Sequence, residues 1–152
     1  MVYKWKFNMG CPAETAGKEL ERIEAKHGQV TPELVLDESR EESAPLHKCF
    51  EWNDTIAAEK YRLSQAGSII RNLTVVVEGY ENKEPVRAYV NIQTEAPTKT
   101  GAFINIKSAL SSEDTKEIVL QNAKNELKEF QKKYSNLKEL VDIFAAIEKL
   151  IA

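Results

Sequence analysis

The sequence predicts an α+β domain, with helices and antiparallel strands in separate stretches of one chain. Three observations predict it. Residues 2–7 alternate at strand period, with Tyr3, Trp5 and Phe7 on one side and Lys4 and Lys6 on the other. From Ala13 to Asn72 the apolar residues recur at helical spacing, punctuated by caps. At Leu73 the period returns to two and stays there for three short runs, before a helical C-terminal forty residues. The order is therefore β-ααα-βββ-αα over residues 1–152, read as a single domain.

Each element has its local reason. Asn8 to Pro12 end the first strand. A helix spans Ala13 to His27, with Leu20 and Ile23 on its inner face and Gly28 in the position that favours left-handed backbone. Thr31 followed by Pro32 is an N-cap with proline at the first helical position, so a short helix runs from Pro32 to about Arg40 with Leu34 and Val35 inward. Pro45 disfavours helix just before it, and residues 41–53 read as irregular. Asn53 or Asp54 caps a third helix to about Asn72, with Ile56, Ala57, Tyr61, Ala66, Ile69 and Ile70 inward.

Thr74–Glu78, Val86–Ile92 and Ala102–Lys107 read as three strands, with turns at Gly79–Pro85 and Ala96–Gly101. Short connections make a three-stranded antiparallel meander the natural arrangement. Ser111 or Ser112 opens the C-terminal helical segment, residues 112–152. Its apolar stripe runs from Ile118 through Leu127, Phe130 and Tyr134, and on through Leu140, Phe144, Ile147 and Ile151. Ser135 and Asn136 divide it into one interrupted helix or two. The stripe either covers the sheet or forms a homodimer seam.

Composition narrows function by exclusion. Apolar residues make up 42% and charged residues 30%, enough for a core and an ordinary mixed surface. The net charge is -3, so no global basic field attracts nucleic acid. Residues 14–51 hold ten acids against five bases, an acidic first third. No stretch reaches the roughly 18 apolar residues of a membrane span. No leader pattern is visible, which predicts a cytoplasmic chain with Cys11 and Cys49 as free thiols.

No cofactor and no metal is expected. His47 and Cys49 are only two soft ligands, short of the three or four protein ligands a zinc site takes. The six glycines are isolated, so no phosphate loop exists, and no nucleophile elbow is present. The expectation is a binding protein, not an enzyme. Three helices before a hairpin is winged-helix order, with Lys60, Arg62 and Arg71 on the third helix facing phosphates. Against nucleic acid stand the acidic net charge and the 13-residue connection before that helix.

The most distinctive text is Thr31 to Arg71. It contains Pro45-Leu46-His47, Phe50-Glu51-Trp52-Asn53-Asp54, Ala57-Ala58-Glu59, Tyr61-Arg62, Gln65-Ala66 and Ile70-Arg71. This pattern resembles a family of small proteins encoded by bacteriophages and prophages. Phe130–Leu137 and Phe144–Glu148 are similar to that family as well. The chain departs from it at Asn53, where aspartate is usual, and at Gly67, where arginine is. The resemblance implies a bacterial host as the setting and names no activity.

Two readings of the motif follow. In one, Leu46, Phe50 and Trp52 anchor the loop, His47 bonds a carboxylate such as Asp54, and Arg62 and Gln65 satisfy loop carbonyls. In the other, His47, Trp52, Arg62, Gln65 and Arg71 form a polar surface for a macromolecular partner. The partner expected first is a host or phage protein, with a host defence nuclease as one variant. Nucleic acid is the alternative.

Overall fold

A computed structural model of the chain describes residues 1–54, 56–78, 84–93 and 101–152. The predicted turns at 79–85 and 96–101 lie largely outside the described residues, as do the side chains of Ile56 and Ala57. The architecture is α+β. In chain order the elements are β1 (Val2–Trp5), α1 (Ala13–His27), α2 (Pro32–Glu38), α3 (Ile56–Asn72), β2 (Leu73–Val76), β3 (Val86–Arg87), β4 (Tyr89–Asn91), β5 (Phe103–Asn105), α4 (Ile106–Ser111), α5 (Glu113–Lys133) and α6 (Val141–Ile151). Single 3-10 turns occur at His47–Cys49 and Lys138–Leu140.

The caps act where the sequence puts them. Gly28 adopts φ 76° and its N–H reaches back to the Glu24 carbonyl at 2.7 Å, closing α1. Thr31 Oγ1 accepts from the Leu34 N–H at 3.2 Å, opening α2 one residue before its proline. Helix α3 passes into β2 with no intervening loop.

The antiparallel strands form two small sheets, ordered β1-β2-β3 and β4-β5. The expected strand 86–92 is broken at Ala88. Its first half pairs with β2, through Thr74↔Arg87 and Val75↔Val86, and its second half pairs with β5. Ala88 stitches the halves together: its N–H donates to the Leu73 carbonyl and its carbonyl accepts from Ile106. The meander keeps its pairing sequence but bends, and β1 joins its outer side through Val2↔Val76 to Trp5↔Leu73. The expected third strand ends at Asn105, whose Oδ1 caps a helix not foreseen, α4, through the Lys107 N–H at 3.0 Å.

The core lies between α1, α2, α3 and the sheets. Leu20, Ile23, Val30, Val35, Leu36, Leu46, Ile69, Ile70, Leu73 and Val75 are fully buried in it. The phase of α3 differs from expectation. Its buried row is Ala58, Arg62, Ala66, Ile69 and Ile70, whereas Tyr61 is 56% exposed. A charged residue occupies the inner row, which is why an apolar count misplaces it.

Cys11 and Cys49 are not free thiols; they are joined in a disulfide, with Cα atoms 5.9 Å apart. The loops carrying them meet because α1 begins beside the 3-10 turn. Closing a chain segment of 38 residues contributes about 3–4 kcal/mol on a loop-entropy basis.

The C-terminal helices do not cover the sheet. Helix α5 packs on α4 and α6 and meets β4, where Asn122 Nδ2 donates to the Asn91 carbonyl at 3.0 Å. No residue of α5 is buried, and α6 buries only Ile147.

The closest approach in the body sets up a test. Gly17 lies mid-helix in α1 with the Tyr3 ring directly against it, and a Cβ there would overlap ring carbons. Tyr3 cannot yield easily, because its hydroxyl donates to Glu21 and accepts from Asn105 Nδ2. Gly17→Ala gains about 1 kcal/mol in helix propensity but costs up to about 3 kcal/mol in overpacking. A lower thermal midpoint is the expected result, measured by circular dichroism.

Candidate functional site

The loop at 45–54 folds onto α3 through the residues the motif contains. Pro45 and the turn at His47–Cys49 reverse the chain. Leu46 and Phe50 are buried beneath it. The His47 and Trp52 rings stack, with centroids 4.6 Å apart and planes 8° apart. Trp52 Nε1 donates to the His47 carbonyl at 2.8 Å, and His47 Nδ1 lies 3.0 Å from the Ser39 carbonyl. His47 therefore bonds a backbone carbonyl at the end of α2, not Asp54.

Arg62 is the centre of this arrangement. Its side chain is 6% exposed. Nε donates to the Glu51 carbonyl at 2.7 Å, and Nη2 donates to the Asn53 carbonyl at 3.4 Å and to Asp54 Oδ1 at 3.2 Å. Glu59 accepts from Nη1 at 3.5 Å. The guanidinium also sits 5.0 Å from the Trp52 ring centroid. Gln65 Oε1 accepts from the Glu51 N–H at 3.2 Å. Four of the five candidate residues, His47, Trp52, Arg62 and Gln65, thus come together, and each makes a hydrogen bond that fastens the loop. Arg62 has no face left for phosphate.

Arg71 is not with them. It stands in the last turn of α3, exposed, beside the outer face of the β1-β2-β3 sheet. Its guanidinium lies over Gly67, where a Cβ would come within 2.8 Å of it. The glycine that departs from the phage pattern is thus the seat of Arg71. A groove of about 670 Å³ opens there, lined by Lys4, Lys6, Arg71 and Arg87 with Trp5 and Thr74 among its walls. Sequence reading missed Lys4, Lys6 and Arg87. The alternation at Lys4 and Lys6 gave the outer face, but only the register Lys4↔Thr74↔Arg87 brings Arg87 to it.

The acidic first third is largely engaged within the fold. Glu38 on α2 receives Arg22 and Lys26, each at 2.6 Å, and lies 3.0 Å from His27 Nε2, so it clamps α1 to α2. Glu19 also takes Arg22, and Arg40 bridges Asp37 and Glu59. Glu24 accepts from the Asn105 N–H and from Ser108, holding β5 and α4 to α1. Hydrogen bonds from Arg22, then Lys26 and His27, hold the Glu38 carboxyl well below the usual range, at about 2.

Among the described residues no group of three His, Cys, Asp or Glu side chains converges as a metal site, and Cys49 is committed to its disulfide. Among them, too, no helix is long and apolar enough to cross a membrane. No family model, curated protein or solved structure matches the chain.

Two measurements separate structural from exposed roles. Arg62→Ala leaves the Glu51 and Asn53 carbonyls without their donor and should cost about 2–4 kcal/mol in urea unfolding. Arg71→Ala should stay within about 0.5 kcal/mol of the parent, as exposed substitutions do.

Acid titration tests the clamp. A carboxyl with a lowered folded-state pKa stabilises above its ordinary value, and that contribution disappears as pH falls toward the folded-state value. The urea midpoint should therefore drop between about pH 4.5 and about pH 2. Glu38→Gln should flatten that slope. Because the cationic partners are about half exposed, added salt should shrink the effect.

Proposed function

We propose that this chain acts by binding another protein, not by catalysis, and that its C-terminal hairpin is the binding surface. One observation carries the reading: a two-helix hairpin that packs its stripe against itself and still leaves large apolar side chains exposed. Leu120 is 51% exposed, Ile143 50%, Leu150 51% and Val141 62%. Phe130 and Phe144 meet edge-on inside the hairpin, and Gln131 bonds Glu148, so the pair of helices is ordered against itself. Ile143 and Leu150, seven residues apart, share one side of α6, and exposed apolar side chains of this kind mark an interaction surface.

The occupant is a second copy. In helix α5 Glu113, Asp114 and Glu117 outnumber Lys116 in the first turns, and Lys124, Lys128, Lys132 and Lys133 outnumber Glu126 and Glu129 toward the end. Two such helices placed antiparallel set the acidic end of each against the basic end of the other. That is the self-complementary arrangement a two-fold dimer requires. Two hairpins together make four helices, a bundle in which every member can bury an apolar stripe.

The resemblance of residues 31–71 to phage and prophage proteins supports an accessory role in the cytoplasm of a bacterial host. Thiols are kept reduced there, so the Cys11–Cys49 pair would be open in that setting. The nuclease-inhibitor variant draws on the acidic first third. Only Glu33, Glu41 and Glu42 of those ten acids lack a bond to another described residue, which leaves little continuous acidic surface for that variant.

Light scattering coupled to gel filtration tests the reading. The parent chain at micromolar concentration should run as a dimer, and Ile143→Asp with Leu150→Asp should run as a monomer with unchanged circular dichroism. A monomeric parent removes the second copy as occupant. A different protein recovered from host lysate by the parent and lost by the same double variant would then hold the surface instead.

A further inference from the structure

The groove beside Arg71 collects cations that stand outside the ion pairs holding the helices together. In α1, α2 and the inner row of α3, Lys18, Arg22, Lys26, Arg40 and Arg62 all face carboxylates. Among the described residues, Lys4, Lys6, Arg71 and Arg87 have no carboxylate within 4.0 Å, and no carboxylate lines the groove they share. Lys4 and Arg87 flank Thr74 in one row across the sheet, and the Thr74 hydroxyl donates to the Lys4 carbonyl at 2.8 Å. Lys6 extends the row, because its N–H donates to the Asn72 carbonyl at 2.9 Å. Four like charges on one concave face repel one another in the free protein. A chain of net charge -3 therefore carries a local field of the opposite sign.

We infer that this groove binds the phosphodiester backbone of single-stranded nucleic acid. Four cations spaced along a groove match a run of phosphates better than one compact anion. Three strands span only about 10 Å, and among the described residues no helix projects from this face to enter a duplex groove. Where the chain leaves β1, Phe7 is 63% exposed, with the Lys6 ammonium 5.6 Å from its ring centroid. An exposed ring beside a cationic track is the arrangement on which unpaired bases stack. The inference is independent of the hairpin: it uses the opposite end of the fold and none of α5 or α6. It also differs from the winged-helix reading, since it uses the sheet and leaves Arg62 inside.

The test is fluorescence anisotropy of a labelled oligothymidine with the full chain. Binding should tighten as salt is lowered, with a log–log slope approaching about -3 if all four cations meet phosphates. Arg71→Ala with Arg87→Ala should weaken binding about tenfold or more at low salt and cut that slope by about half. Lys60→Ala, an exposed base on α3 away from the groove, should change neither. Phe7→Ala should weaken binding without altering the salt slope. No binding at low salt by the folded chain overturns the inference, as does binding that survives the double variant. Equal affinity for a duplex of the same length, or displacement of the oligomer by inorganic phosphate at matched ionic strength, overturns the single-strand assignment. Circular dichroism and oligomeric state of every variant should match the parent, which separates loss of the groove from loss of the hairpin surface.

Discussion

The buried guanidinium of Arg62 is the constraint on which the middle of this structure depends. A loop from Pro45 to Asp54 has no regular partner for its backbone, yet Leu46 and Phe50 pull it into the core. Its carbonyls must then be satisfied from inside. Arg62 does this from the inner row of α3, while Gln65 one turn later accepts from the Glu51 N–H of the same loop. The Trp52 ring lies between this guanidinium and the question of what His47 is for. Stacked on Trp52 and bonded to the end of α2, His47 closes the same loop from the other side. A polar cluster that looks chemical in sequence is thus a fastening, and its atoms are already occupied.

That fastening also explains where sequence reading succeeds. The ends of α1 and α2 are legible because their signals are local: Gly28 is needed for left-handed backbone, and Thr31-Pro32 caps and starts a helix within two residues. The phase of α3 is not legible, because the row at its centre contains an arginine and the exposed row a tyrosine. The break at Ala88 and the start of α4 at Ile106 are set by tertiary hydrogen bonds between them, which no local propensity encodes. The disulfide is equally silent in sequence, since two cysteines 38 residues apart carry no spacing rule.

The candidate site divides along the same line. The motif reading put five residues on one surface, and four of them, His47, Trp52, Arg62 and Gln65, are neighbours. It could not announce that Arg71, at the far end of the same helix, belongs to a different face. Lys4 and Lys6 are visible as the polar side of a strand, but their charge gains meaning only when β2 sets Thr74 between Lys4 and Arg87. Gly67 shows the difference between pattern and geometry. Read as a missing arginine, it subtracts a contact; in the fold it gives Arg71 room to lie along the helix.

Net charge is therefore a poor guide to this molecule, because its acids and bases are sorted by position. The acids of the first third help hold α1, α2 and α4 together, and they pair with Lys18, Arg22, Lys26 and Arg40. Four other cations stand on the sheet and several more along α5. On α5 the bases outweigh the acids only toward its end, which suits antiparallel pairing with a copy of itself. On the sheet they stand alone, which suits a polyanion. The two surfaces occupy different elements, so neither competes with the other. If the hairpins pair, each assembly carries two grooves, and a strand long enough to reach both would gain affinity from effective concentration without any new contact. A weak groove in the monomer is then compatible with tight binding by the dimer, and strand length, not base sequence, becomes the variable that the assembly reads.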